Sequence, residues 1–383
     1  MIYLFLIILS TSTVQFFNIP IFNKIITVMF LFGLSWVVLN KESLRVKKCI
    51  KYELILSVLF LIYNLLSFVW GDYDIITFLV SIQFPIALFF IALSSSYYPV
   101  MINRSIEDFV SKVAITLFSS WLVFSIFGFF ILGQSIWFND LGINRLSGSL
   151  GVSASSILNT LVYVLSFYLA YLKKIRVYYI LVFFSIVCVF LAGTRISLLS
   201  CVISSLVMIF MSENKYKYFY AISIIPVVLY LIWEKILSRL FFDGALVYSI
   251  DSINFNGRRF IWDVIFENID NYYFGMGAGS SISILQNKAV GVGIQPHNDY
   301  IRILHDLGLI GLCMFSFILL FITFRCILNV LRVDDLKDEF VLVISLLCSF
   351  YIVMFTDNAY IYSFFFIPIF LIYFSSVNLL NRK

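Results

Sequence analysis

The chain reads as an all-α polytopic membrane protein of about 12 transmembrane helices, and three observations carry that reading. Of its 383 residues, 62% are hydrophobic and 12% charged, where a soluble domain carries about a quarter charged. Mean hydropathy is +1.02, and the apolar residues gather into runs near the roughly 20 residues that a crossing helix needs. The six cysteines form no disulfide framework, because Cys188, Cys201, Cys313, Cys326 and Cys348 lie in or beside apolar runs and Cys49 sits in a lysine-rich loop. A net charge of +5 is small and follows from membrane orientation, so no nucleic-acid partner is expected.

Taken in order, the expected spans are Ile2–Phe17, Ile21–Leu39, Glu53–Trp70, Ile75–Leu93, Val113–Leu132, Ser153–Leu172, Val177–Ala192, Ile196–Met211, Phe219–Trp233, Leu309–Val330, Phe340–Thr356 and Ile361–Val377. The first run has no basic segment before it and no small-residue cleavage site after it, so it reads as a helix and not as a removed signal. With the amino terminus inside, 17 of the 26 basic residues fall in cytoplasmic segments, the asymmetry that sets orientation. Both termini are then cytoplasmic, and the chain is a single integral membrane domain over 1–383. Nine basic residues are left outside, among them Arg145, Arg195, Arg258, Arg259 and Arg302, and the sorting rule does not account for them.

Most connections are short, such as Gly71–Asp74 and Asp357–Tyr360. The exception is the outer stretch 234–308, too long to be a mere connection. It carries Phe260, Trp262, Phe266, Tyr272, Tyr273 and Phe274, so short amphipathic helices are expected in it. Both histidines of the protein, His297 and His305, lie there. Pro296 suits a first helical turn, and Ile301, Leu304 and Leu307 recur at helical spacing. A helix is therefore expected from near His297 to Gly308, lying at the membrane surface. Its amino-terminal dipole would favour a neutral imidazole at His297, the form that a general base requires. The plain alternative is a pair of interfacial histidines, and His305 reads as structural.

Upstream, Arg258 and Arg259 lead a short helix whose apolar face is Phe260, Ile261, Ile265, Phe266 and Ile269. That helix either rests in the headgroups or presents a guanidinium clamp, whose planar fork matches phosphate oxygens. The run Gly275-Met-Gly-Ala-Gly279 lacks the setting of a nucleotide-binding loop and reads as a tight turn that brings backbone close to a ligand. Arg195, in the turn between two spans, either snorkels to headgroups or points into a cavity. Arg145, in Asn144-Arg-Leu-Ser-Gly-Ser-Leu-Gly151, is a further candidate. No His/Asp/Glu cluster with ligand spacing is seen outside, so no metal is expected.

His297-Asn298 followed after nine residues by Gly308-Leu-Ile-Gly311, with Gly193-Thr-Arg195 between two spans and Gly257-Arg-Arg-Phe-Ile-Trp262 before the glycine run, resembles the O-antigen ligase and polymerase superfamily over roughly residues 180–325. The chain departs from that family where Gly148 and Gly151 lead into Val152-Ser-Ala-Ser in place of the usual Pro-Asn. The resemblance implies a glycosyltransferase that moves an oligosaccharide from undecaprenyl diphosphate on the periplasmic face of a bacterial inner membrane. His297 would be the catalytic base. Arg195, Arg258, Arg259 and Arg145, with Asn298, Tyr300 and Arg302, would bind diphosphate and sugar. No cofactor is implied; membrane lipids, a chain-length regulator and a flippase are implied partners. A polymerase and a ligase share these parts and differ in the acceptor, with the aromatic-rich sequence favouring the polymerase. A transporter or flippase is the reading from another class, set against the scarcity of ionisable groups in mid-span.

Overall fold

The computed structural model describes residues 1–17, 48–71, 74–97, 105–140, 143–213, 258–288 and 295–380. Apolar segments without water can satisfy their backbone groups only internally, which makes helices of them. In chain order these are α1 (Ile2–Phe17), α2 (Lys51–Leu66, continued by a 3-10 turn Ser67–Val69), α3 (Ile75–Ser81), α4 (Gln83–Tyr97) and α5 (Ile106–Phe130). They continue with α6 (Val152–Phe167, ending in a π turn Tyr168–Leu172), α7 (Tyr178–Ala192), α8 (Arg195–Met211), α9 (Arg258–Phe266), α10 (Ser280–Asn287), α11 (Asp299–Arg332), α12 (Lys337–Thr356) and α13 (Ser363–Leu380). Among the described residues six helices are long and apolar enough to cross a membrane, or seven if the bent pair α3–α4 is one span. Helices α7 and α8 are apolar but shorter. The expected spans Ile21–Leu39 and Phe219–Trp233, and the loop from 234 to 257, lie outside the described residues.

Four departures from the sequence reading have local causes. The chain is not helical throughout: β1 (Trp137–Asp140) and β2 (Ile143–Leu146) pair antiparallel, with Phe138 opposite Arg145; Trp137, Phe138 and Ile143 favour strand, and Asn139, Asp140 and Asn144 gather at the turn. The span expected at Ile75–Leu93 is bent by 42° between α3 and α4, because Pro85 has no N–H and its ring crowds the carbonyl of Ser81. Helix α5 starts seven residues before the expected Val113. Ser105 caps it, accepting the Asp108 N–H at 3.2 Å, and Glu107 and Asp108 fill a first turn too polar to register as membrane. Finally, the span expected from Leu309 continues a helix begun at Asp299, interrupted at Gly308 (φ 66°, ψ −171°).

Helices α6, α12 and α13 form the buried centre, while α2, α5 and α11 turn large apolar side chains outward, among them Leu59, Ile62, Phe129, Phe130, Phe317 and Phe324. That arrangement suits a hydrocarbon surround and would be a liability in water. Phe84 anchors the core: its ring lies 4.6 Å from that of Tyr360 and 5.6 Å from that of Phe315, contacts favoured by offset and edge-on ring geometry. Small residues let α8 approach α12, where the Ser204 hydroxyl bonds the Ser345 carbonyl at 2.9 Å and the Ser349 hydroxyl at 2.7 Å. At one end of the bundle Lys173 pairs with Asp338 and Glu339, both at 3.0 Å, and Arg325 pairs with Glu53. The other end carries the β-hairpin, the α7–α8 turn, α9, α10 and the start of α11.

Candidate active site

The site end is organised by the break in α11. A left-handed φ at residue 308 admits glycine, and a Cβ there would meet the Tyr273 carbonyl oxygen at 2.3 Å. The carbonyls and N–H groups released by the break find partners elsewhere. Leu309 N–H donates to the Tyr272 carbonyl at 2.8 Å and Ile310 N–H to that of Tyr273 at 3.2 Å. The Tyr63 hydroxyl donates to the Leu307 carbonyl at 2.8 Å. The glycine run wraps this break: a Cβ on Gly275 would strike Gly308 N at 2.4 Å, and one on Gly279 would strike the Thr77 carbonyl carbon at 2.6 Å. At Gly275 and Gly279 the close approach is to protein backbone. The anion their N–H groups hold is internal, since the Asp306 carboxylate accepts from Gly279 N–H at 2.9 Å and Ser281 N–H at 2.8 Å.

Beneath lies a buried polar layer. Arg302 is fully buried; its Nη2 donates to the Ser81 hydroxyl at 2.8 Å, its Nε lies 3.8 Å from Asp306, and its guanidinium sits 5.5 Å from the Tyr360 ring centre. A buried cation stays tolerable through such partners. His305, also buried, faces the Ser280 hydroxyl at 3.1 Å and Asp306 at 3.4 Å. Asp299 accepts the Tyr360 N–H at 2.8 Å. That bond fixes the loop Asp357–Tyr360 between α12 and α13.

His297 stands on that loop. It precedes α11 by two residues and holds a left-handed φ of 52°, a conformation costly for a residue with a side chain. Asn358 secures it from two directions: its Oδ1 accepts the His297 N–H at 3.0 Å and its Nδ2 lies 3.3 Å from the ring Nδ1. The same Nδ1 is 3.8 Å from the buried carboxylate of Asp357. Asn358 Nδ2 can only donate, so in this arrangement Nδ1 is its acceptor; a lone pair at Nε2 requires the proton on Nδ1, with the ring turned from Asn358 toward Asp357, a rearrangement of the kind catalytic hydrogen bonds undergo when substrate binds. About a third of the His297 side chain is exposed, at 33%, so it has access to the rim.

Three cationic positions share the rim. Trp262 Nε1 donates to the Pro296 carbonyl at 2.9 Å, tying α9 to the residue before His297. Arg258 opens α9 half-buried: burial holds its guanidinium below the ordinary value, the Asp357 carboxylate opposes that shift, and the Arg145 guanidinium adds to it. Arg258 is therefore coupled to the acid beside His297 and to a second arginine. Arg145, on β2, donates from Nε to the Ala192 carbonyl at 2.9 Å, and Gly193 packs against it. Arg195 lies just beyond, as the first residue of α8 and half-buried. A cation at a helix amino terminus gains nothing from the dipole; helix end and guanidinium together favour an anion.

The structure thus brings His297, Arg258, Arg145 and the Arg195 turn to one rim, and sets the remaining candidates apart. Arg259 is exposed. Asn298 is buried and caps α11, its Oδ1 accepting from Tyr300 N–H at 3.0 Å and Ile301 N–H at 3.1 Å. Tyr300 donates to the Tyr351 carbonyl at 3.4 Å, and Arg302 is spent on the buried layer. None of these three side chains turns to the rim. Sequence reasoning missed Asp357 and Asn358, which it took for a short connection; the signal was an acid and an amide adjacent in an outer turn between two spans. It also missed Asp299 and Asp306, whose burial no spacing announces. No group of three His, Cys, Asp or Glu side chains able to hold a metal occurs among the described residues.

Residues 180–316 match the family model described as O-Antigen ligase. The match supports the O-antigen ligase and polymerase superfamily that the motifs resemble, and it spans α7, α8, α9, α10, His297 and the break in α11. Asp357, Asn358 and Arg145 lie outside it. No curated protein matches the chain significantly.

Proposed function

We propose that this O-antigen ligase/polymerase relative is a polysaccharide polymerase of the bacterial inner membrane. In this reading it has about twelve spans, both termini are cytoplasmic and the site is periplasmic. It moves a growing glycan from undecaprenyl diphosphate to a lipid-linked repeat unit. The observation that carries the reading is His297 held 3.8 Å from the buried Asp357 carboxylate, beside α9, which opens with Arg258 and is tied by Trp262 to the Pro296 carbonyl. An acceptor sugar hydroxyl attacks the anomeric carbon of the donor, and His297 Nε2 takes the hydroxyl proton. The bond from that carbon to the diphosphate oxygen breaks, and the diphosphate leaves with the electron pair. Arg258, Arg145 and Arg195 receive the charge that grows on it, work that fixed guanidinium groups can do without a metal. Attack opposite the leaving group inverts the anomeric centre.

The aromatic-rich, idiosyncratic sequence supports the polymerase. The second reading is a ligase that transfers the glycan to lipid A–core, favoured by the description of the matching family. Deleting the gene and separating lipopolysaccharide by electrophoresis tells them apart: core bearing a single repeat for a polymerase, bare core with lipid-linked polymer accumulating for a ligase. Unchanged glycans would overturn both. Complementation with His297→Ala is expected to leave the deletion phenotype while the protein inserts at normal levels, and transfer in isolated membranes is expected to persist in chelator. Normal ladders from His297→Ala would remove the base.

A further inference from the structure

Asp299 opens α11 two residues after His297 and is fully buried. An acid in a first helical turn ordinarily complements the N–H groups of its own helix. Here that task is already taken, because the Asn298 side chain accepts the Tyr300 and Ile301 N–H groups. Asp299 instead reaches across to another element, and its Oδ2 accepts the Tyr360 N–H at 2.8 Å. Tyr360 sits in the 3-10 turn Ala359–Ile361, directly after Asp357 and Asn358. The Tyr360 ring is held as well: it stacks on Phe84 at 4.6 Å and lies 5.5 Å from the Arg302 guanidinium.

The start of α11 and this turn therefore grip each other in both directions. The His297 N–H donates to the Asn358 side chain at 3.0 Å, and the Tyr360 N–H donates back to Asp299. Between these two bonds, the Asn358 N–H donates to Asp357 Oδ1 at 2.8 Å, the same oxygen that lies 3.8 Å from His297 Nδ1. We propose that Asp299 is a positioning residue for transfer, whose bond to Tyr360 sets the place of Asp357 and Asn358 against the His297 ring. Burial keeps Asp299 itself away from substrate, so it acts only through that loop. The role asks for an acceptor oxygen at this point and not for a charge. Small displacements suffice, since a misplacement of about 1 Å from a change remote from the chemistry can cost roughly 10²-fold in rate. The proposal rests on the transfer reading above and extends it from the groups at the rim to one beneath them.

The test measures transfer by the full-length protein in lipid nanodiscs and, on the same samples, amide hydrogen exchange of the peptide spanning Tyr360. Asp299→Ala removes the acceptor. It is expected to lower kcat of the folded protein about 10²-fold with KM within about twofold, and to speed exchange in that peptide as the turn loosens. Asp299→Leu, near in volume and also without an acceptor, is expected to do the same and serves where Asp299→Ala does not fold. Asp299→Asn keeps an acceptor oxygen and is expected to bring kcat back to within about fivefold of the wild type, with exchange slowed again. In an Asp357→Asn background, Asp299→Ala is expected to cost less than about threefold more, because its effect passes through the acid already lost. Wild-type kcat in Asp299→Ala or Asp299→Leu overturns the proposal. So does a loss shared equally by Asp299→Asn, a loss that multiplies in full with that of Asp357→Asn, or a raised KM at constant kcat. Exchange needs no transfer. A loosened turn in a protein whose transfer survives His297→Ala defeats the transfer reading alone, and normal kcat in Asp299→Ala of a protein that requires His297 defeats this proposal alone.

Discussion

His297 spends conformational energy to stand where it does. A left-handed φ of 52° in a residue with a Cβ persists only where surroundings impose it; here Asn358 holds both the N–H and the ring. The next residue, Asn298, has a different task, the capping of α11. These two adjacent residues therefore make opposite predictions. Asn298→Ala is expected to lower stability by about 1 kcal/mol, the usual value of a cap, read as a lower thermal midpoint with near-normal kcat in the folded fraction. A kcat collapse at full stability would return Asn298 to the substrate. Asp357→Asn keeps the shape but removes the negative charge that would face an Nδ1 proton. Its expected effect is a fall in kcat of roughly 10²-fold or more, the scale of general-base catalysis, with KM little changed. Full activity in that variant would leave His297 without its orienting acid.

At the scale of elements, the break in α11 is the joint on which the site is hung. Gly308 allows the helix start to turn across the bundle end, and segment 272–281 replaces the hydrogen bonds the break removes. Gly308→Ala adds a Cβ 2.3 Å from the Tyr273 carbonyl oxygen at a φ that alanine resists. It is expected to destabilise the fold by more than the ~1 kcal/mol of an unstrained glycine replacement, read as a lower thermal midpoint in detergent. A midpoint within a degree of the wild type would show that the break is not a constraint. This element also marks how far the sequence could be read. Apolar runs located ten of the expected spans on described helices, because hydropathy along one chain is a local quantity. The Gly308 break, the bend at Pro85 and the early start of α5 depend on single polar or backbone-special residues that averaging over a window erases. The arginines of the rim were visible as basic residues that sorting left outside. Asp357, Asn358 and the burial of Arg302 were not visible, since each is defined by partners distant in sequence: Asn358 meets His297 across 61 positions and Arg302 meets Ser81 across 221.

Across the whole molecule, charge is divided between two ends that do different work. The end carrying Lys173, Lys337 and Arg325 closes its cations with acids: Asp338 and Glu339, Glu213, and Glu53. The end carrying Arg145 and Arg258 sets guanidinium groups near one another, with Asp357 as the acid coupled to Arg258. Guanidinium groups gathered at one rim suit an anionic ligand, whose oxygens their planar forks match. If the basic residues orient the chain as the sorting rule has it, the rim faces outward and the paired end faces the cytoplasm. That orientation is tested with single cysteines in a cysteine-free background. Ser135→Cys, exposed in the segment leading into the hairpin, is expected to react with a membrane-impermeant maleimide on intact cells. Asp335→Cys, exposed between α11 and α12, is expected to react only after permeabilisation. The reverse pattern would put His297 and the arginines in the cytoplasm, where a lipid-linked glycan awaiting polymerisation outside could not reach them, and the transfer reading would fall with the topology.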